Sequence, residues 1–284
     1  MRSLAVVLIG LLAANSAAGE PVRIVSIGGA ITESVFALGL EDRLVAVDTT
    51  SLYPAEAQEL PNVGYMRTLS AEPILSLSPD LVLLHADAGP DAVIEQLRES
   101  GLTMVRLPKA TDVDGAAAVI RRVAQAVGKE AAGQTLADTM ATHANRVTST
   151  AEAVPQKPRV LFLLSIGKGA PLASGIGTAA AGIIRAAGGV NAIDGYEGYK
   201  PLSPEAAVVA NPDLILATRR TVDLMGGEDA VLERSEIKPT VAGTERRLIV
   251  VDGLLMLGFG PRTATAVTEL AKAFHPHLDF PAQN

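Results

Sequence analysis

The chain is 284 residues long, 48% hydrophobic and 19% charged, with a formal net charge of −7. This apolar content excludes a disordered chain and the length allows one or two globular domains, while an acidic balance without a basic tract excludes nucleic acid as the main partner. Cysteine is absent, which excludes disulfides, thiolate metal sites, cysteine nucleophiles and a lipid-modified cysteine.

Residues 1–19 begin with Arg2, continue through an apolar run from Leu4 to Ala14 and end in small residues. That is the pattern of a secretory signal peptide cleaved near Ala18 or Gly19. The apolar run is shorter than the roughly 20 residues that span a bilayer. The mature chain is expected in the periplasm, with no membrane insertion of its own.

Residues 22–27, before Gly28-Gly29, read as a strand. Thr32 reads as the N-cap of a helix over 33–40, with Gly39 as its stop. Residues 44–47 form a second strand, 51–60 a loop with a short helix, and 61–67 a further loop. Ser70 opens a helix with Glu72 in its first turn, where the helix dipole favours an anion. A strand at 81–84, a helix at 91–100 closed by Gly101, and a strand at 104–107 continue the alternation, which implies a parallel sheet flanked by helices.

Residues 112–152 break that alternation. They are rich in Ala, lack Pro, and carry Val119, Ile120, Val123 and Val127 at helical spacing. This predicts one long helix, or two in line, running through Gly128 and Gly133 and closed by Pro155 and Pro158. A strand at 160–164 starts a second lobe. A glycine-rich turn, a helix at 178–187, strands at 214–217 and 248–251, and a terminal helix at 264–274 follow. The predicted units are a leader at 1–19, an α/β lobe at 20–111, a linker helix at 112–155 and a second α/β lobe at 156–284. A single stiff crossing predicts little hinge closure.

One stretch occurs twice. GYMRTLSAEPILSLSPDLVLL at 64–84 aligns with GYKPLSPEAAVVANPDLILA at 198–217. Glu72 falls on Glu205 and Asp80 on Asp213 at a constant offset of 133. With one residue skipped, Gly64-Tyr65 falls on Gly198-Tyr199. Two copies suggest two similar lobes.

Other motifs fail on context. Gly175-Ile-Gly177-Thr-Ala-Ala180 fits G-x-G-x-x-A, but the strand predicted before it ends near Leu164, whereas a dinucleotide fingerprint needs a strand directly before it. Gly167-Lys168 is followed by Gly169, so there is no P-loop. His85, His143, His275 and His277 do not converge as a transition-metal site would. No Ser, His and Asp set points to an enzyme. Glu72 and Glu205 each suit a helix N-terminus, but that role does not explain the same frame in both lobes. A guanidinium near a phenol favours the phenolate, and a Tyr phenolate is one of the side chains that hold ferric haem iron; Tyr65 has Arg67 two residues on. Arg219 and Arg220 end a strand, where ligands of open α/β sheets bind, and could reach the same phenolate or a propionate.

Tyr-x-Arg before Leu-Ser-x-Glu, the long helix, SIGKGAPLASGIGTAA, AAGGVNA, GYKPLSPEA and PDLILATR together resemble the haem-binding periplasmic proteins of bacterial ABC haem importers, over about residues 22–275. That family belongs to the helical-backbone class of substrate-binding proteins (class III), with cobalamin and siderophore carriers. The resemblance implies two Rossmann-like α/β lobes with central parallel sheets, joined by one long backbone helix. It implies that Tyr65 is the axial ligand of ferric haem b, supported by Arg67, Arg219, Arg220 and Tyr199. It implies that Glu72 and Glu205 dock onto arginines of the permease, one per half of a two-fold transporter driven by a cytoplasmic ATPase. Some members add a His in the turn at 165–169; this chain has none there, so five-coordinate Tyr ligation is expected. The expected protein is a monomeric carrier and not an enzyme. The alternatives are a siderophore or cobalamin carrier of the same fold, and an exported oxidoreductase or hydrolase.

Overall fold

A computed structural model describes residues 22–165 and 169–282. The leader predicted at 1–19 and the centre of the turn at 165–169 therefore lie outside the described residues.

The first lobe alternates β1 (Ile24–Ile27), α1 (Gly29–Ala37), β2 (Leu44–Val47), α2 (Ala71–Leu75), β3 (Leu81–Leu84), α3 (Asp91–Glu99) and β4 (Met104–Arg106). Its sheet has the order β2-β1-β3-β4, all parallel. Fully buried runs such as Leu81–Leu84 suit a sheet covered on both faces. Helix α1 starts four residues before the expected start at Glu33. Gly28, at φ 123°, turns the chain directly into it. Thr32 is thus not the cap; its hydroxyl bonds Ser26 at 2.8 Å and Ser51 at 2.7 Å inside the lobe.

The linker is two helices, not one. Helices α4 (Val113–Ala126) and α5 (Glu130–Glu152) fold back on each other. Gly128 sits at φ 73°, Lys129 N–H donates to the Ala124 carbonyl at 2.8 Å, and Gly128 N–H reaches Gln125. That is a Schellman ending, which only a residue at ease in the left-handed region adopts freely. Gly133 packs its bare Cα against Ala124, where a methyl group would collide. Arg121 pairs with Asp138 at 2.7 Å, so the pairing runs antiparallel. One face of α4 (Val119, Val123, Val127) joins the core around β1 and α1. The other (Val113, Ala116, Ala117, Ile120) joins a core formed with α5 and the second lobe.

The second lobe contains β5 (Arg159–Leu164), β6 (Leu172–Ser174), α6 (Ala179–Ala186), β7 (Val190–Asn191), β8 (Tyr199–Pro201), α7 (Pro204–Ala210), β9 (Leu214–Thr218), α8 (Arg219–Leu224), α9 (Glu228–Leu232), α10 (Val241–Thr244), β10 (Leu248–Val251), α11 (Gly253–Leu257) and α12 (Thr263–Phe274). Strands β7, β5, β9 and β10 are parallel and repeat the order of the first sheet. The central strands are thus parallel in both lobes, as expected, and the second sheet adds an antiparallel edge. Strand β6 pairs antiparallel with β5, and β8 antiparallel with β6. The chain returns from β5 too quickly for the crossover a parallel neighbour requires.

The duplication has a structural basis. Asp80 accepts from Arg23 N–H at 2.9 Å and Asp213 from Arg159 N–H at 2.8 Å. Each carboxylate ties a lobe's third parallel strand in chain order to the start of its first. Ser78 and Asn211, at φ 45° and 37°, turn out of α2 and α7 in the same way.

The lobes meet at α1. Gly29 lies against Leu254 and Ala30 against Gly260. Glu33, 5% exposed, takes two bonds from Arg262, at 2.9 and 2.6 Å. The Arg262 guanidinium stacks 3.6 Å from the Tyr53 ring centre.

Candidate ligand site at the strand ends

Tyr65 lies in a tight turn between β2 and α2. Gly64, at φ 97°, enters the turn, and Thr68 N–H closes it onto the Tyr65 carbonyl at 2.8 Å. Met66 is buried and anchors the turn, which leaves Tyr65 40% exposed. The turn is stitched to the loop after β3: Gly89 N–H donates to Met66 and Leu69 N–H to Gly89, both at 2.9 Å. Arg106 holds that loop by the Ala86 and Ala88 carbonyls.

Arg67 bridges the two loops. Its Nη1 donates to the Tyr65 hydroxyl at 2.5 Å and its Nη2 to Asp87 at 2.9 Å. Burial opposes the Arg67 charge, but the bonds to Tyr65 and Asp87 outweigh it and raise its pKa. For Asp87 burial acts upward, yet the bond from Arg67 and the charge of Lys109 hold it below the usual range. Lys109 Nζ lies 3.9 Å from the other Asp87 oxygen. Asp87 N–H donates to His85 Nδ1 at 3.0 Å, so the neutral ring carries its proton on Nε2. Burial lowers the His85 pKa, favouring that neutral form. The exposed end of this set is a phenol oxygen with a cation fixed against it, which suits a hard Lewis-acidic ligand atom.

Tyr199 is half-buried on β8, edge-on to Phe162 at 6.3 Å. Burial raises its pKa, with partial relief from Ala180 N–H, the Thr178 hydroxyl and the Arg67 charge. The Arg67 charge of the first lobe therefore lies close enough to act on Tyr199 in the second. Arg219 is the first residue of α8, and Glu228 holds it at 3.2 Å on the surface. Arg220, beside it, is also exposed. Exposed Leu52, Tyr53 and Ile176 add apolar surface on loops that follow β2 and β6.

Glu72 and Glu205 occupy the first turns of α2 and α7, both exposed. The Glu205 carboxyl is held below its usual range by its own N–H and the Ser203 hydroxyl. Ser203 caps Ala206 N–H at 3.1 Å, whereas Ser70 makes no such bond. On α7, Val208 and Val209 are also exposed.

Sequence reasoning missed Asp87 and Lys109. Their one signal was position, since both follow strands of a parallel sheet at the carboxyl end. Two hollows elsewhere, of about 160 and 190 Å³, lie by β4 and by β10. Both are smaller than the roughly 300 Å³ at which small-molecule sites begin.

A model of the periplasmic binding protein family matches residues 24–253. The solved structure of the periplasmic heme-binding protein RhuT from Roseiflexus sp. RS-1 superposes with a TM-score of 0.86 at 40% identity, over 89% of this chain and 98% of that one. An uncharacterized ABC transporter substrate-binding lipoprotein, YvrC of Bacillus subtilis, is 29% identical over 90% of this chain and 81% of its own. A cobalamin-binding protein of Halobacterium salinarum is 28% identical over 90% of this chain and 70% of its own.

Proposed function

Since the chain belongs to the periplasmic binding protein family, whose model covers residues 24–253, we propose that it is a haem carrier that holds ferric haem non-covalently through Tyr65 and delivers it to an ABC importer. The observation that carries this reading is the bond from Arg67 to the exposed Tyr65 hydroxyl on a braced loop. A phenolate is an established ligand of ferric haem iron, and the Arg67 guanidinium lies 2.5 Å from the Tyr65 oxygen that would make such a bond. The apolar side chains of Leu52 and Ile176 suit the faces of a porphyrin, and Arg219 and Arg220 are within the lobe that would meet its propionates. Tyr199, kept as a phenol by burial, is assigned to the pocket wall and not to the iron. Glu72 and Glu205 are assigned to the permease.

The family and its relatives are binding proteins, and an ABC-type permease with its ATPase is the partner they imply. Periplasmic residence and a monomeric state belong to the proposal. A second reading is favoured by the similarity to the cobalamin-binding protein: the same cleft would take a corrin. That ligand does not need a phenolate.

Titration of the mature protein with haemin, followed by absorption, tests the proposal. A saturable spectrum of Tyr-ligated ferric haem is expected, lost in Tyr65→Ala and retained in Tyr199→Phe. A parallel titration with cyanocobalamin separates the readings. Binding of the corrin with no haemin spectrum overturns the haem assignment.

A further inference from the structure

Arg67 has two partners but only one of them would meet a ligand. We propose that Asp87 is a positioning residue: it holds the Arg67 guanidinium so that Nη1 stays aimed at the Tyr65 oxygen, and it thereby controls how long a ligand atom stays on that oxygen.

An arginine side chain loses much of its rotamer freedom when it is fixed. The Tyr65 hydroxyl alone takes one of its donors and leaves the planar fork able to pivot. Asp87 takes the other end, Nη2, at 2.9 Å. With both ends engaged the fork has one orientation. Asp87 is itself fixed: its N–H is spent on His85, Arg106 grips the carbonyls of Ala86 and Ala88, and Lys109 attends the second carboxylate oxygen. The Arg67–Asp87 pair is half-exposed, with 49% and 33% of the side chains accessible. A pair so exposed contributes little to folding stability. Its evident effect is directional. It stiffens a cation beside a ligand-facing oxygen, on a loop joined to the ligand loop by two backbone bonds.

This inference rests on the haem reading, and its test separates the two. Haem release into excess apomyoglobin is measured for Asp87→Ala, Asp87→Asn, Arg67→Ala and the double variant Asp87→Ala/Arg67→Ala. Asp87→Ala is expected to speed release about tenfold, the usual scale for partners in one hydrogen-bond network. Asp87→Asn, which keeps an oxygen for Nη2, should recover most of that loss. In the Arg67→Ala background, Asp87→Ala should change nothing further, because its only route to the ligand has gone. An unchanged release rate in Asp87→Ala, or an equal acceleration in both backgrounds, overturns the proposal. Nitrogen-15 spectra of the Arg67 guanidinium in the ligand-free protein give the independent arm. Separate, slowly exchanging Nη signals are expected, merging in Asp87→Ala. If they stay separate, Asp87 does not hold Arg67, whatever ligand the cleft takes. If wild-type protein takes up no haem while the signals merge as expected, the haem reading fails and the positioning role stands.

Discussion

Replacing Arg262 by Ala should cost this fold more than replacing Glu33 by Gln. Burial dominates at Glu33 and raises its pKa from 4.5, against the bonds and charge of Arg262. Attraction within the pair therefore does not fully offset desolvation. Removing one partner of such a pair is costly, whereas removing both is not. Arg262→Ala leaves a buried carboxylate without a counter-ion, a loss of about 3 kcal/mol at neutral pH, the low end of the usual range. The low end applies because the Arg262 side chain is 24% exposed. Glu33→Gln keeps an acceptor and leaves an arginine that still stacks on Tyr53, so about 1 kcal/mol is expected. In a chain of this size, about 3 kcal/mol lowers Tm by roughly 6–12 °C. The raised folded pKa means that the Glu33 contribution is fully present below 4.5 and is lost as pH rises through the folded value. Without Arg262 that folded value climbs further, so the Arg262→Ala penalty should shrink between neutral and mildly acidic buffer. Urea unfolding followed by circular dichroism, with the double variant included, measures all of this. The reasoning is refuted if Arg262→Ala stays within about 1 kcal/mol of wild type, or if the double variant is less stable than Arg262→Ala alone.

Other outcomes follow from single features. Glu72→Ala with Glu205→Ala should leave haemin binding intact and reduce uptake through the permease; undiminished uptake would return both residues to helix capping. Gly128→Ala, forced to φ 73°, should cost about 1–2 kcal/mol in urea unfolding. His143, bonded to Thr268 at 3.2 Å, has its pKa lowered by burial and then by Arg146. Its contribution is therefore complete above its ordinary value of 6.5 and lost as pH falls below it, by at most about 1.4 kcal/mol per pH unit for one proton. His143→Gln should flatten that part of the stability profile.

The strands of both lobes were legible because short Val, Ile and Leu runs stand between clear stops. Strands at 44–47, 81–84 and 248–251 lie where they were read. The repeat was legible because two lobes need the same Asp and the same left-handed turn, and so keep the same letters. The bend in the linker was not. Helical spacing continues on both sides of Gly128, and the contact that fixes the bend, Gly133 on Ala124, exists only once the helices have packed. The antiparallel β6 and β8 are equally silent, since a three-residue strand carries almost no period. Tyr65 with Arg67 could be found because they are neighbours in sequence. Asp87, 20 residues from Arg67, is one carboxylate among many until the fold brings it there. Arg219 follows a strand end as its sequence context predicts, whereas nothing in the sequence pattern marks Glu228 as its partner.

Helix α4 has consequences for how the molecule can be cut. Its Val119 edge belongs to one core and its Ile120 edge to another. A cut at residue 111 would strip the first lobe of a wall, and a cut at 155 would leave the second without α4 and α5 to cover β5, α6 and α12. Each fragment would present a broad apolar face to water, so neither half is a portable module. The chain should melt in one transition, and an exchange of ligand pockets between relatives should succeed by trading loops at the strand ends, not by trading lobes.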